Sequence, residues 1–221
     1  GMAELMASYH AAGIKTVMIT GDQSATAGAI GRELGLSGNG SLEILDSSRL
    51  DQLAPELLKG LVSRVDVFSR VSPAHKLQIV QALQSTGRVV AMTGDGINDG
   101  PALKAADIGI ALGASGTEVA RSVADVVIED DNLHTMSEAV RQGRTIYTNI
   151  RKTVHYLPST NFSEIEVMIT AIALGPGQPL HPLQILWTSP VTDISPRPAL
   201  SPAPPRGGVA QHPPPPAPAP Q

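Results

Sequence analysis

Met92-Thr93-Gly94-Asp95-Gly96-Ile97-Asn98-Asp99 is the stretch on which the reading of this chain turns. The apolar run Arg88-Val89-Val90-Ala91-Met92 before it reads as a fully buried strand. Gly100-Pro101-Ala102-Leu103-Lys104-Ala105-Ala106 after it reads as a helix, with Asn98 or Asp99 as cap and Pro101 in the first turn. A strand that ends in glycines and acids and then turns into a helix sets carboxylates at the C-terminal edge of a parallel sheet, where open α/β folds bind ligands. Gly94 and Gly96 let the backbone turn tightly and approach a ligand. Asp95 and Asp99 are hard oxygen donors of the kind Mg²⁺ prefers. Taken alone, the same residues also spell a solvated Asp-Gly turn.

Working outward, a second strand end repeats the first. Ile14 to Thr20 reads as a buried strand running into Gly21-Asp22, so Thr20-Gly21-Asp22 echoes Thr93-Gly94-Asp95. Two such ends can converge on one phosphate. Helices are expected over 3–12 and 24–34, with shorter helical pieces over 48–53 and 55–62. Further strands are expected over 42–45, 65–69, 108–112 and 125–128, and a helix over 117–123. Ser72-Pro73-Ala74-His75-Lys76 opens a helix with Ser72 as N-cap and Pro73 at the first helical position. Lys76 lies in that first turn, where the helix dipole disfavours a cation, so it reads either as a solvated lysine or, more sharply, as one held for an anionic ligand. Strands alternating with helices predict a doubly wound α/β domain over residues 1–132.

Composition narrows the function classes. A net charge of −4 with 16% charged residues carries no nucleic-acid footprint. With no cysteine there are no disulfides and no thiolate metal sites. No signal peptide opens the chain, which starts inside a helical pattern as though cut from something longer.

Beyond residue 132 the pattern becomes continuous helix. Residues 133–153 carry Arg141, Arg144, Arg151 and Lys152, and 154–174 is about long enough to cross a bilayer core of roughly 30 Å. Pro158, Asn161, Glu164 and Glu166 interrupt its apolar character, so an amphipathic soluble helix is the competing expectation. If the segment spans, Asn161 and Glu164 share a face and mark an ion path. The basic residues before it then set the α/β domain on the cytoplasmic side. Residues 183–200 begin apolar and are broken by Pro190, Pro196 and Pro198, a degraded second membrane helix. Nine of the residues from Ser201 to Gln221 are proline, which predicts a disordered or polyproline II-like tail.

Thr93-Gly94-Asp95-Gly96-Ile97-Asn98-Asp99-Gly100-Pro101-Ala102-Leu103, with Thr20-Gly21-Asp22 and Lys76, closely resembles the P-type cation-transporting ATPases, in particular the calcium-pump-like members. The match is to the C-terminal part of their phosphorylation domain, which has a haloacid-dehalogenase-like fold. It continues through Gly143 to Lys152, similar to the stalk of the fifth membrane helix, and through Leu186-Trp187 and Val191-Thr192-Asp193, similar to the sixth. The resemblance implies ATP and Mg²⁺ as cofactors of the parent enzyme, with Asp95 as Mg²⁺ ligand. It implies that Asn98 and Asp99 orient metal and phosphoryl group, that Thr20 and Gly21 hold phosphate oxygens, and that Lys76 neutralises phosphoryl charge. It further implies that Asp22, Gly94 and Gly96 line the cofactor site. Asn161, Glu164, Thr192 and Asp193 fall where transported-cation ligands lie, for Ca²⁺ in the calcium-type members. The implied partners are the lipid bilayer and the remainder of a multi-pass membrane pump: its nucleotide-binding domain, its actuator domain and its other membrane segments.

The chain also departs from the family pattern. The phosphorylated aspartate's Asp-Lys-Thr-Gly-Thr motif does not occur in the 221 residues. Ser189 stands where calcium-type members usually carry Asn, with Pro190 beside it, and Pro158 and Glu166 replace apolar positions. The expectation is a pump fragment that carries metal and phosphate residues without the nucleophile. Two alternatives are a soluble phosphatase of the dehalogenase superfamily and a non-catalytic membrane-associated remnant.

Overall fold

The structure, a computed structural model, describes residues 1–38, 40–50 and 53–174. Among the described residues six strands form where short apolar runs give way to polar or glycine residues: β1 (Met18–Ile19), β2 (Ile44–Asp46), β3 (Val67–Ser69), β4 (Ala91–Gly94), β5 (Ile108–Leu112) and β6 (Val126–Ile128). Helices α1 (Met2–Ala11), α2 (Ser24–Glu33), α3 (Ser47–Leu50), α4 (Pro55–Val62), α5 (Pro73–Ser85), α6 (Gly100–Ala105), α7 (Glu118–Val123) and α8 (Leu133–Leu174) complete the order. Each strand pairs parallel to its neighbours, because a helical crossover returns the chain to the same end before the next strand.

The expected α/β domain is built on parallel strands. The described strands form two three-stranded parallel sheets, ordered β1-β3-β2 and β4-β5-β6. In the first, Val67 pairs with Met18 and with Ile44; in the second, Ile110 pairs with Thr93 and with Val126. Ile19 of β1 packs against core clusters belonging to both, so a shared apolar layer joins them.

β3 explains the layering. Successive strand residues point to opposite faces, and Val67 and Phe68 are both fully buried. Phe68 packs with Leu58, Val62, Ile79 and Leu83 of α4 and α5. Val67 packs with Leu5, Met6, Tyr9 and Ala27 of α1 and α2. Helices therefore cover both faces of this sheet, as an α/β architecture requires. A third cluster of Val80, Met92, Leu103, Ala111 and Ala120 joins α5, α6 and α7 to β4 and β5.

β4 is not the fully buried strand expected. It is an edge strand in which Met92 is buried while Ala91 and Thr93 are exposed. An edge strand covered on one face alternates, which a run of apolar letters does not reveal.

Two compact units divide the chain. Among the described residues, one runs from Gly1 to Glu138 and the other from Ala139 to Leu174. In the second unit α8 continues as helix through Pro158. The hydroxyls of Thr145, Thr148, Thr153, Ser159 and Ser163 each donate to the carbonyl four residues earlier. Phe162, Ile169, Ile172 and Leu174 are exposed. Among the described residues no helix is long and apolar enough to cross a membrane. Residues 183–200, expected to be a degraded second membrane helix, and 201–221, expected to be a proline-rich disordered tail, lie outside the described residues.

Candidate functional site

The end of β4 builds the site. After Gly94 the chain passes Asp95 and Gly96, makes a single 3₁₀ turn over Ile97–Asp99, and enters α6. Asp99 occupies the cap position of α6, yet its side chain makes no capping hydrogen bond. Its carboxylate Oδ1 instead accepts from the Lys76 ammonium at 2.5 Å. Both partners are largely withdrawn from solvent, Lys76 at 18% and Asp99 at 8% side-chain exposure. A carboxylate this buried requires a compensating charge, and Lys76 supplies it. The expected cap is thus corrected: the stronger electrostatic partner, 23 positions away in sequence, takes the carboxylate.

Gly94 is required by close approach. A Cβ at that position would lie 2.6 Å from the Asp99 Cβ and 3.0 Å from its Oδ2. The Asp99 side chain therefore lies directly over the β4 end, with Oδ2 also near Gly96. Asp95 and Asn98 are exposed on this loop. The Asp95 backbone carbonyl accepts from the Thr117 amide at 2.8 Å, which ties the loop to the N-cap of α7.

Lys76 reaches the site because α5 starts where the sequence says it does. The Ser72 hydroxyl accepts from the His75 amide, the His75 ring Nδ1 accepts in turn from the Ser72 amide, and Pro73 occupies the first turn. His75 is therefore part of a cap.

The second strand end is ordered by its own residues. The Thr20 hydroxyl donates to the Asp22 carboxylate at 2.9 Å and accepts from the Asp22 amide at 3.1 Å. The carbonyls of Thr20 and Asp22 accept from the amides of Val71 and Arg70, fastening this loop to the turn that leads into α5. Thr20, Gly21 and Asp22 thus adjoin the segment that carries Lys76, while Lys76, Asp99, Gly94 and Gly96 form one contact set. Asn161 and Glu164 fall three positions apart on α8, and their side chains are outside what the structure describes. Thr192 and Asp193 lie outside the described residues.

One polar cluster escaped the sequence reading. At the ends of β2 and β3 the Ser24 hydroxyl bonds both Asp46 (2.8 Å) and Ser69 (2.7 Å), and the amide and hydroxyl of Ser48 donate to Asp46. The Ser48 amide, then the Ser24 and Ser48 hydroxyls, hold the Asp46 carboxyl below the usual carboxylate range. Beside it Arg70 adopts a left-handed φ of 54°, with its Nε 3.9 Å from Asp46. Only Asp46-Ser47-Ser48 closing a short strand signals this cluster in the sequence.

Residues 1–107 match the haloacid dehalogenase-like hydrolase family. A calcium-transporting ATPase of Bacillus subtilis is 50% identical over 198 residues, covering 90% of this chain and 22% of that protein. A probable cation-transporting ATPase F of Mycobacterium bovis is 43% identical over 96% of this chain and 24% of its own length. The endoplasmic reticulum calcium ATPase srcA of Aspergillus fumigatus is 43% identical over 90% of this chain and 21% of its own length. The chain thus spans about a fifth of the length of the curated relatives it matches. Among solved structures, the catalytic domain of the CPx-ATPase CopB-B aligns at 23% identity with a TM-score of 0.46, over 62% of this chain and 43% of that one, a likeness too slight to build on. The sequence matches, together with an α/β domain of parallel strands, show that the chain is similar over nearly its whole length to a segment of the P-type cation-transporting ATPases.

Proposed function

We propose that this chain is the phosphoryl-handling part of an ATP-driven cation pump, working with an aspartate nucleophile that lies outside its 221 residues. The observation that carries the reading is the Lys76–Asp99 pair at the end of β4, with Asp99 packed on Gly94. In this reading Lys76 neutralises the charge of a phosphoryl group, and Thr20 and Gly21 hold its oxygens. Asp95 is the metal ligand, Asn98 and Asp99 orient metal and phosphoryl group, and Asp22, Gly94 and Gly96 line the cofactor site. Such an arrangement suits phosphoryl transfer, in which catalysis is mostly positioning and charge stabilisation.

The donor set fits Mg²⁺. Among the described residues no group of three or more His, Cys, Asp or Glu is gathered. Mg²⁺ is commonly held by one or two carboxylates with waters and substrate phosphates, which is what Asp95 and Asp99 offer. When bound, the metal supplies Lewis-acid stabilisation of phosphoryl oxygens.

In the parent pump α8 serves as stalk (133–153) and membrane helix (154–174), with the α/β domain (1–132) on the cytoplasmic side. Supporting this are its exposed apolar residues and its internally satisfied hydroxyls, both suited to surroundings poor in water. Asn161 and Glu164, with Thr192 and Asp193, would supply oxygen ligands to the transported cation, Ca²⁺ in a calcium-type pump.

The test uses γ-labelled ATP. The purified chain should acquire no hydroxylamine-sensitive label. The Bacillus subtilis relative carrying residues 1–174 of this chain in the matching position should acquire it, and Lys76→Met in that chimera should abolish it. Labelling of the chain alone, or unchanged labelling of the Lys76→Met chimera, would overturn the proposal. In the same chimera Glu164→Gln should weaken the Ca²⁺ dependence of phosphorylation.

A further inference from the structure

The loops at the ends of β5 and β6 are held together by one acid. Asp131 lies two residues before α8 and has a left-handed φ of 51°, a conformation that a side chain rarely adopts without reason. Its carboxylate reaches back to the loop after β5, accepting from the Ala114 amide at 3.0 Å and the Ser115 amide at 2.7 Å. The loop is further closed by the Gly113 amide on the Ile128 carbonyl and by the Arg121 guanidinium on the Gly113 carbonyl. Gly116 completes it, since a Cβ there would lie 2.0 Å from the Leu112 carbonyl oxygen. The following residue, Thr117, donates its amide to the Asp95 carbonyl at 2.8 Å. On the other side of Asp131, Asn132 caps α8 by accepting from the His134 amide, and Asp130 accepts from the Thr135 hydroxyl and the Asn132 amide.

We infer that Asp131 is a positioning residue for the Asp95 loop: it sets the 113–117 segment so that the Thr117 amide holds the Asp95 backbone in place, and it does so from the entrance of α8. The chain of contacts is continuous from the β4 end to the first turn of α8. Asp131 touches no residue of the Lys76–Asp99 pair among the described contacts, so it acts only through the loop it grips. The strained backbone of Asp131 is the device that turns its carboxylate back onto the loop while the chain proceeds into the helix. The consequence for metal binding rests on the functional reading above; the positional role does not.

The test is made on the full chain, with amide NMR of Asp95 and Thr117 and with MgCl₂ as the probe. Without metal, Asp131→Asn and Asp131→Gly should shift the Thr117 and Asp95 amide resonances and speed hydrogen exchange at Thr117. Glycine tolerates the left-handed backbone, so this variant keeps the local conformation accessible if the asparagine variant folds poorly. On titration with MgCl₂ both should weaken binding at the loop by on the order of tenfold, the usual effect of losing an outer-shell partner. Asp130→Asn, which removes an acid of the same charge one residue away, should leave both readings near wild type. Folded Asp131 variants with wild-type Thr117 exchange would overturn the inference, as would an Asp130→Asn effect equal to theirs. If the wild-type chain gives no response to MgCl₂, the metal reading of Asp95 fails, and Thr117 exchange alone still decides the role of Asp131.

Discussion

Removing one partner of the Lys76–Asp99 pair should cost more than half of what removing both costs. At 2.5 Å and an effective dielectric of about 20, the Coulomb attraction is roughly 7 kcal/mol, most of it offset by the desolvation of two groups. Breaking a buried pair costs about 3–5 kcal/mol. With 18% of the Lys76 side chain still exposed, the low end applies, so Lys76→Met and Asp99→Asn should each destabilise by about 3 kcal/mol. The double variant leaves no orphaned charge and should lose only about 4 kcal/mol, a coupling of about 2 kcal/mol. Urea denaturation of the four proteins, followed by far-ultraviolet circular dichroism, completes the cycle. Additive single costs, with coupling below about 0.5 kcal/mol, would mean that the two side chains do not depend on each other and would refute the reasoning.

Gly94→Ala forces a methyl group to 2.6 Å from the Asp99 Cβ and should destabilise by about 1–3 kcal/mol, read as a lowered Tm. Tyr9→Phe removes the hydroxyl that donates to the Leu133 carbonyl and should cost about 0.5–1.5 kcal/mol by the same measurement. Burial raises the Tyr9 pKa, so the unfolded chain ionises first; stability should fall as pH rises above about 10, and Tyr9→Phe should flatten that limb. The Asp46 carboxyl is lowered on folding, so its stabilisation is present above about pH 4 and is lost as pH falls through the folded value. Asp46→Asn should therefore reduce the acid sensitivity of urea unfolding below about pH 4, and an unchanged acid limb would contradict the Asp46 hydrogen-bond account.

Local chemistry was enough to locate the elements. Ser72-Pro73 starts α5 because a hydroxyl and a fixed φ act within one turn, and Thr117 caps α7 for the same reason. Gly94 and Asp95 end β4 where a strand must give way to a turn. The acid-rich loop and Lys76 were legible as site candidates because charged residues at a strand end and in a helix first turn have few structural reasons to be there. What those residues touch was not legible. Asp99 had a plausible local role as a cap, and only folding brought Lys76 within reach to outcompete the backbone amides. The alternation of β4, the division into two sheets, the Asp46–Ser24–Ser69 cluster and the grip of Asp131 on the 113–117 segment all depend on which strands become neighbours. Capping and periodicity act over three or four residues and can be read from the chain. Pairings across tens of positions are decided by burial and electrostatics in three dimensions, and only the tertiary structure determines them.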